Sequence, residues 1–184
     1  MPKLLTTAIL LCCIFPSPVI FAQGNTNQGS PEILYVDKVN TLDDLFAKFK
    51  GQVIYVDYWG SWCSSCLDEF KPNPELDAFI KANKIVRLYL ALEKETKDPA
   101  MEQASREKWK SMVEKYNLAG YNYYAQLKSD FFRGITEKIM KGKLSLPRYS
   151  IIDKNGVIVN RDAKSPSNFS GLKKQLSDYL KEGR

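Results

Sequence analysis

The chain has 184 residues, a formal net charge of +6, four cysteines and no histidine. Without histidine it lacks the commonest zinc ligand and the commonest general base, which argues against a zinc site and against a Cys–His hydrolase. Its lysines are scattered and form no arginine-rich block, so the charge predicts a solvated basic surface and no nucleic-acid partner.

The first segment of the chain has the pattern of a secretory signal peptide. Lys3 gives a positive start, a largely apolar run follows, and Ala22 precedes a polar stretch. This pattern predicts a signal peptide over residues 1–22 that is cleaved after Ala22, a polar tether over residues 23–30, and a single domain over residues 31–184. A retained membrane anchor is the alternative, but the apolar run is short for a span and prolines interrupt it.

The two cysteines of this segment would leave with the signal peptide. Cys12 follows Leu11 and Cys13 follows Cys12, whereas a lipid-modified cysteine follows a small residue. We therefore expect an exported, periplasmic protein without a lipid anchor and without a membrane span. Its thiols would be Cys63 and Cys66.

Hydrophobic periodicity divides the domain into strands and helices. In chain order it first predicts a strand at residues 33–36, a helix at 41–51, a strand at 53–58, and a helix after Cys66 that Pro72 and Pro74 interrupt. A strand at 85–92, a charged loop at 93–99, a helix at about 101–116 and a less regular tyrosine-rich segment at 120–124 follow. The chain then continues with a helix at 129–139, a hairpin of strands at 148–152 and 157–160, and a final helix that opens at 165–167. Thr41 and Asp44 form an approximate capping box for the first helix. This order predicts an α/β fold, with a mixed central β-sheet flanked by helices on both faces.

The strand at residues 53–58 leads through an aromatic turn to Cys63 and Cys66. A helix whose first turn carries two cysteines favours a reactive thiol, because the unpaired N–H groups and the dipole of that turn stabilise a thiolate at Cys63. Cys66, one turn later, lies on the same helix face and can form a disulfide with Cys63. A bridge across two residues closes a very small loop and stabilises a fold little, so the pair favours thiol–disulfide chemistry over a structural role.

Asp57 is an acid among aromatic and aliphatic residues of the same strand. It could be a strand-end acid that faces water. If it instead points beneath the helix toward Cys66, burial raises its pKa and suits it to proton transfer, which would explain an acid at such a costly position.

Pro147 directly precedes the first strand of the hairpin. It could be an ordinary edge residue. A cis bond between Leu146 and Pro147 would instead place unpaired backbone groups of the loop beside the disulfide, where a substrate strand could pair with them.

The run Asp57-Tyr58-Trp59-x-x-Trp62-Cys63-x-x-Cys66 is similar to the thioredoxin active site. Leu146-Pro147 just before a strand resembles that fold's cis-proline. The signal peptide, the insertion across residues 88–124 and the helix entry at 165–167 resemble the envelope thioredoxin-like proteins of the TlpA/ResA type. The resemblance implies a thioredoxin fold from about residue 30 to the C-terminus.

The same resemblance implies the roles of individual residues. It makes Cys63 the attacking thiol, Cys66 the resolving thiol and Asp57 the proton shuttle. It places three residues in a substrate groove: Trp62, Leu146 and Pro147. Glu69 matches a glutamate common in the helix of this group.

The sequence also departs from that family. Lys71 stands where proline is usual, and the proline comes one residue later at Pro72. Arg148 replaces the common threonine after the cis-proline. Ser64 and Ser65, between the cysteines, match neither thioredoxin nor the strong oxidants, so the redox potential stays open.

These features predict an exported thiol:disulfide oxidoreductase that reduces disulfides of protein substrates and receives electrons from an unidentified envelope donor. A reducing role is favoured because no histidine or arginine lies between the cysteines to stabilise the thiolate strongly. No cofactor is expected. The alternatives are a disulfide oxidase or isomerase and a non-enzymatic binding or redox-sensing module; copper delivery is disfavoured because such sites recruit histidine.

Overall fold

The computed structural model describes residues 32–181. The predicted signal peptide, the tether, Cys12 and Cys13 therefore lie outside the described residues. The described strands are β1 (Ile33–Tyr35), β2 (Ile54–Trp59), β3 (Val86–Glu93), β4 (Gly120–Gln126), β5 (Arg148–Ile152) and β6 (Ile158–Asn160). They form one sheet in the order β1-β4-β3-β2-β5-β6, in which the first four are parallel and β5 and β6 are antiparallel to their neighbours.

Helices cover both faces of this sheet. They are α1 (Leu42–Ala47), α2 (Ser64–Asp68), α3 (Pro74–Ala82), α4 (Pro99–Lys115), α5 (Asp130–Lys138) and α6 (Phe169–Lys181). The buried side chains of α1 and α5 belong to one core cluster, and those of α2, α3, α4 and α6 belong to two clusters built on other strand residues. The predicted α/β fold with a mixed central sheet is confirmed.

The side chains of β2 show how the two faces arise. Ile54, Val56 and Tyr58 pack in the cluster with α1 and α5, whereas Tyr55 and Trp59 pack on the opposite face. Every residue of β2 is buried, because β2 has a paired strand on each side and helices on each face. The strand that carries the site is therefore the most enclosed part of the sheet.

The predicted capping signals are present. The Oγ of Thr41 accepts the N–H of Asp44 at 3.1 Å, and the carboxylate of Asp44 accepts the N–H of Thr41 at 3.1 Å. The Oγ of Ser129 accepts the N–H of Phe132 at 3.1 Å and begins α5. α1 ends at Ala47, earlier than predicted, and a turn joins it to β2.

The predicted interruption of the helix after Cys66 is confirmed: α2 ends at Asp68 and α3 begins anew at Pro74, capped by Asn73. Two segments differ from their prediction in detail. The tyrosine-rich residues 120–124 are the start of the regular strand β4, because this segment is paired with β1 on one side and β3 on the other. A 3₁₀ turn, Pro166–Asn168, precedes the final helix.

Candidate active site

Cys63 and Cys66 lie where β2 ends and α2 begins, at the edge of the sheet where the parallel strands have their carboxyl ends. They form a disulfide with an S–S distance of 2.06 Å, so the structure describes the oxidised form. Cys63 is the N-cap residue of α2, and its Sγ accepts the N–H of Cys66 at 3.2 Å. The Ser65 hydroxyl lies 3.5 Å from the same sulfur. The predicted pairing of the two cysteines is therefore present.

The two sulfurs differ in access. Cys63 is 7% exposed and Cys66 is 1% exposed. In the reduced form, the N–H of Cys66 would donate to a Cys63 thiolate, and a donor to the charged form of a group favours ionisation. The more accessible sulfur is thus also the one with a backbone donor aimed at it.

Trp62 directly precedes Cys63 in the chain. It is 41% exposed, and its Nε1 donates to the carbonyl of Leu92 at 2.9 Å. Gly60 makes this position possible, because a Cβ atom there would lie 2.7 Å from Trp62 Nε1 and 2.9 Å from the Leu92 oxygen. Because Gly60 has no side chain, the Trp62 ring can pack against the backbone at this position without a steric clash.

Glu93, the last residue of β3, was predicted to lie in a loop and was not predicted to belong to the site. Its side chain is 3% exposed, and its two carboxylate oxygens accept the Ser61 N–H at 2.7 Å and the Ser61 hydroxyl at 2.8 Å. The contact fixes the turn that precedes Cys63. One signal in the sequence could have indicated Glu93: it is an acid directly after a predicted buried strand. If that strand lies parallel to β2, the carboxyl ends of the two strands meet at one edge of the sheet, and the acid lies near the cysteines.

Asp57 is buried on the sheet face against which α2 packs. It is 1% exposed, and in the β-ladders it lies opposite Tyr89 of β3 and Tyr149 of β5. Neither carboxylate oxygen has a hydrogen-bond partner among residues 32–181. Burial raises the pKa of Asp57 from 3.8 to about 7, while the positive charge of Arg87 lowers it and Glu69 raises it further. The predicted burial and raised pKa are present; the shuttle role stays a prediction.

The loop before β5 packs near the disulfide. The Leu146–Pro147 peptide bond is cis, as the resemblance implied. Leu146 packs against the hydrophobic cluster that contains Cys63 and Cys66. Arg148, which follows, is ion-paired with Asp162 at 2.9 Å. The structure thus brings Trp62, Leu146 and Pro147 to the surroundings of the cysteines; their part in substrate binding stays a prediction.

Glu69 lies at the end of α2 and faces the 3₁₀ turn. Its carboxylate accepts the N–H of Ser167 at 3.0 Å and the Ser167 hydroxyl at 2.8 Å. It therefore ties α2 to the entry of α6, and it also contributes to the field at Asp57.

Residues 32–181 contain no group of three or more His, Cys, Asp or Glu side chains arranged to hold a metal ion. Within the same residues, no helix has the length and apolar character needed to cross a membrane.

Comparisons with known proteins agree with this site. The Redoxin family model matches residues 30–176. The thioredoxin domain of a thiol-disulfide oxidoreductase from Bacteroides vulgatus is 20% identical with a TM-score of 0.51, over 73% of this chain and 83% of that one. A thiol:disulfide interchange protein from a Bacteroides species is 19% identical with a TM-score of 0.50, over 76% of this chain and 78% of that one.

A thioredoxin family thiol:disulfide interchange protein from Chlorobium tepidum is 17% identical with a TM-score of 0.50, over 73% of this chain and 83% of that one. At such identities these structures establish the shared fold, and the thioredoxin fold implied by the resemblance is confirmed. The comparison with curated proteins gives no match.

Proposed function

The chain belongs to the Redoxin family, and from this premise we propose that it is an exported thiol:disulfide oxidoreductase that reduces disulfides in other proteins. Family membership and the Cys63–Cys66 pair support the general activity. The observation that carries the proposal is the disulfide at the N-cap of α2, whose more accessible sulfur receives a backbone N–H. A structural staple would need neither the access nor the donor.

The reaction moves two electrons from the reduced protein to the substrate. The Cys63 thiolate attacks a substrate disulfide, whose S–S bond breaks as a mixed disulfide forms and a substrate thiolate leaves. Cys66 loses its proton to Asp57, which a pKa of about 7 makes an acceptor near neutral pH. The Cys66 thiolate then attacks Cys63, the second substrate thiol leaves, and the disulfide of the structure is formed. An envelope electron donor must return the protein to its dithiol form.

We propose the reducing direction because the Cys63 thiolate would lack the stabilisation that a cationic side chain between the cysteines provides in a strong oxidant. Ser64 and Ser65 are neutral, so no cationic side chain lies between the cysteines. A less stabilised thiolate corresponds to a less oxidising couple. Protein substrates are favoured by the exposed Trp62 and the cis-proline loop beside the cysteines, since an extended chain can pair with such a loop.

Export is proposed from the signal pattern of residues 1–22. Cleavage after Ala22 would release a periplasmic protein whose thiols are Cys63 and Cys66.

Reduction of insulin disulfides with dithiothreitol as electron source tests this function. The wild type should accelerate insulin precipitation, whereas Cys63→Ser should be inactive. Equilibration with glutathione then gives the reduction potential: a value near that of thioredoxin supports a reductase, and one near that of the strong oxidants supports the oxidase alternative. A protein that forms the disulfide but turns over insulin poorly would be the binding or redox-sensing module.

A further inference from the structure

A cavity lies at the carboxyl edge of the sheet, beside the end of β4. Its volume is about 610 Å³, which falls within the range of about 300–1,000 Å³ that is usual for sites that bind small molecules. Four segments line it: the loop after β1, one side of α4, the end of β4 and the start of α5. Within residues 32–181, its lining excludes Cys63, Cys66 and the cis-proline loop, so it is separate from the site described above.

The cavity lies where the connections that follow two neighbouring strands go to opposite faces of the sheet. β3 leads to α4, whose Trp109 packs on the face of the cysteines, whereas the adjacent strand β4 leads to α5, whose Phe131 packs on the other face. Trp109 and Phe131 both line the cavity. In open α/β sheets, ligands typically bind at the carboxyl ends of the strands at such a point. The topology therefore favours a ligand here.

The walls of the cavity are aromatic. The ring of Trp109 lies edge-to-face with the rings of Tyr35 and Tyr124, at centroid distances of 5.3 Å and 5.5 Å. The Tyr124 hydroxyl donates to the Ser105 hydroxyl at 3.1 Å, and the Tyr123 hydroxyl lies 3.3 Å from a backbone N–H and a carbonyl of the loop after β1. These two hydroxyls are engaged within the protein. The walls therefore offer mainly ring surface, which suits a planar aromatic group.

Two side chains of the lining have a buried N–H donor without a partner. The Nε1 of Trp109 and the Nε2 of Gln126 make no hydrogen bond within residues 32–181. Trp109 is only 4% exposed, and buried donors are normally paired. Hydrogen-bond acceptors on a ligand would provide the missing partners.

Two of the three acids of the lining already have a cationic partner on their own helix. Glu102 accepts from Arg106 of α4 at 2.9 Å, and Asp130 accepts from Arg133 of α5 at 2.8 Å. These pairs leave little negative charge at the cavity to repel an anion.

The charges that remain are mainly positive. Lys38 and Lys110 line the cavity and make no ion pair within residues 32–181, and Asp37 is the lining acid without one in that part of the chain. The Nζ of Lys110 lies 5.4 Å from the centre of the Tyr35 ring, so this cation stands beside the aromatic wall. An anionic group on a ligand would meet more unpaired positive than negative charge.

We propose that this cavity binds a small aromatic carboxylate. Its ring packs against Trp109 and Tyr124, its carboxylate accepts the N–H groups of Trp109 and Gln126, and Lys110 offsets its charge. The binding goes beyond the proposed reduction of disulfides and needs neither thiol. It can therefore be measured in the oxidised protein, whatever the outcome of the insulin assay.

The test is a titration of the oxidised full-length protein with benzoate, followed by proton–nitrogen NMR of the indole N–H groups. The chain has three tryptophans, and the variant Trp109→Phe assigns the Trp109 signal by its loss. Benzoate should move this signal in a saturable way, because the indole gains a charged acceptor. The Trp62 signal should stay in place, since its Nε1 already donates to Leu92.

Two related compounds separate the parts of the ligand. Benzamide keeps the ring and one acceptor but has no charge, so it should bind about ten-fold more weakly than benzoate. Cyclohexanecarboxylate keeps the charge and loses the planar ring, so it should also bind more weakly.

Two variants test the residues. Lys110→Gln removes an unpaired cation and Gln126→Leu removes a donor, and each should weaken benzoate binding by about ten-fold. Lys108→Gln is the matched control, because Lys108 is an exposed lysine of α4 outside the lining. All three variants should reduce insulin at the wild-type rate, which also shows that they fold.

Three results would overturn the inference. The first is a Trp109 signal that does not move, or a Trp62 signal that moves instead. The second is equal binding of benzoate and benzamide, which would exclude recognition of the carboxylate. The third is binding that Lys110→Gln and Gln126→Leu leave unchanged, or that Lys108→Gln weakens as much. A wild type that binds benzoate in this way but does not reduce insulin would refute the proposed function alone.

Discussion

At the scale of single residues, Asp57 couples stability to chemistry. Its carboxyl is buried without a hydrogen-bond partner among residues 32–181, so the charged form is disfavoured and its pKa rises to about 7. An acid with such a pKa exchanges protons near neutral pH, where an exposed aspartate is already ionised. The burial that would suit Asp57 to the proposed proton transfer is therefore unfavourable for the folded state at neutral and alkaline pH.

Asp57→Asn should stabilise the protein in a pH-dependent way. The folded-state pKa of Asp57 is about 7 and the ordinary value is 3.8, so between these values the unfolded chain loses a proton that the folded chain retains. Wild-type stability must fall as the pH rises through this window, by on the order of 4 kcal/mol. Urea unfolding at about pH 4 and about pH 8 should therefore show the advantage of the variant growing by roughly 3–4 kcal/mol. The surface variant Asp37→Asn is the control; a gain from Asp57→Asn that does not depend on pH would contradict the raised pKa.

Asp57→Asn should also slow the second half of the reaction. Asparagine keeps the shape of the side chain and removes the proton acceptor, so deprotonation of Cys66 should suffer while the attack by Cys63 continues. Mixed disulfide should accumulate in quenched samples at pH 7, with resolution slowed by about 10²-fold or more. Resolution at the wild-type rate in this variant would exclude Asp57 as the shuttle.

Glu93 fixes the turn before Cys63 by a buried, charge-assisted contact. Glu93→Gln removes the negative charge, so the contacts to the Ser61 N–H and hydroxyl lose their charge assistance even where neutral hydrogen bonds can form. The free energy of unfolding should fall by about 1–3 kcal/mol. Glu95→Gln is the matched control, since Glu95 makes a more exposed ion pair with Lys128 at 3.6 Å and should change stability by less than about 1 kcal/mol. Equal effects of the two substitutions would show that the Ser61 contact is not important.

At the scale of elements, local signals predicted where helices begin if a side chain caps the first turn by accepting one of its N–H groups. The Thr41–Asp44 capping box was predicted from residue type and spacing and is formed, and the helix predicted to begin at residue 129 is capped by Ser129. Helix ends were less well predicted, because α1 stops at Ala47 without a strong local stop signal. The strand β4 was missed since its regularity depends on pairing with β1 and β3, which are distant in sequence.

Thr41→Ala should destabilise the protein by about 1 kcal/mol, because the first turn of α1 loses a side-chain acceptor. Thr96→Ala is a suitable control: its hydroxyl accepts one N–H in an exposed loop, outside any helix. Chemical denaturation of both variants measures the difference. A loss from Thr41→Ala no larger than that from Thr96→Ala would show that the cap adds nothing.

At the scale of the whole molecule, the parallel strands bring the site together. Cys63, Asp57 and Glu93 belong to neighbouring strands or the turn after them, and Pro147 directly precedes β5, the antiparallel partner of β2. The cysteines, Asp57 and the cis-proline were predictable because a short motif and a resemblance carry them. Glu93 was not, because its contact with Ser61 arises only when β3 is placed beside β2.

The central claim is that Cys63 attacks a protein disulfide and Cys66 resolves the adduct. The most direct measurement is mass spectrometry of adducts formed when reduced Cys66→Ser and reduced Cys63→Ser are mixed with insulin. Cys66→Ser should accumulate a mixed disulfide through Cys63, and Cys63→Ser should form little, since Cys66 is more deeply buried. Adducts that form mainly through Cys66, or with neither variant, would contradict the account.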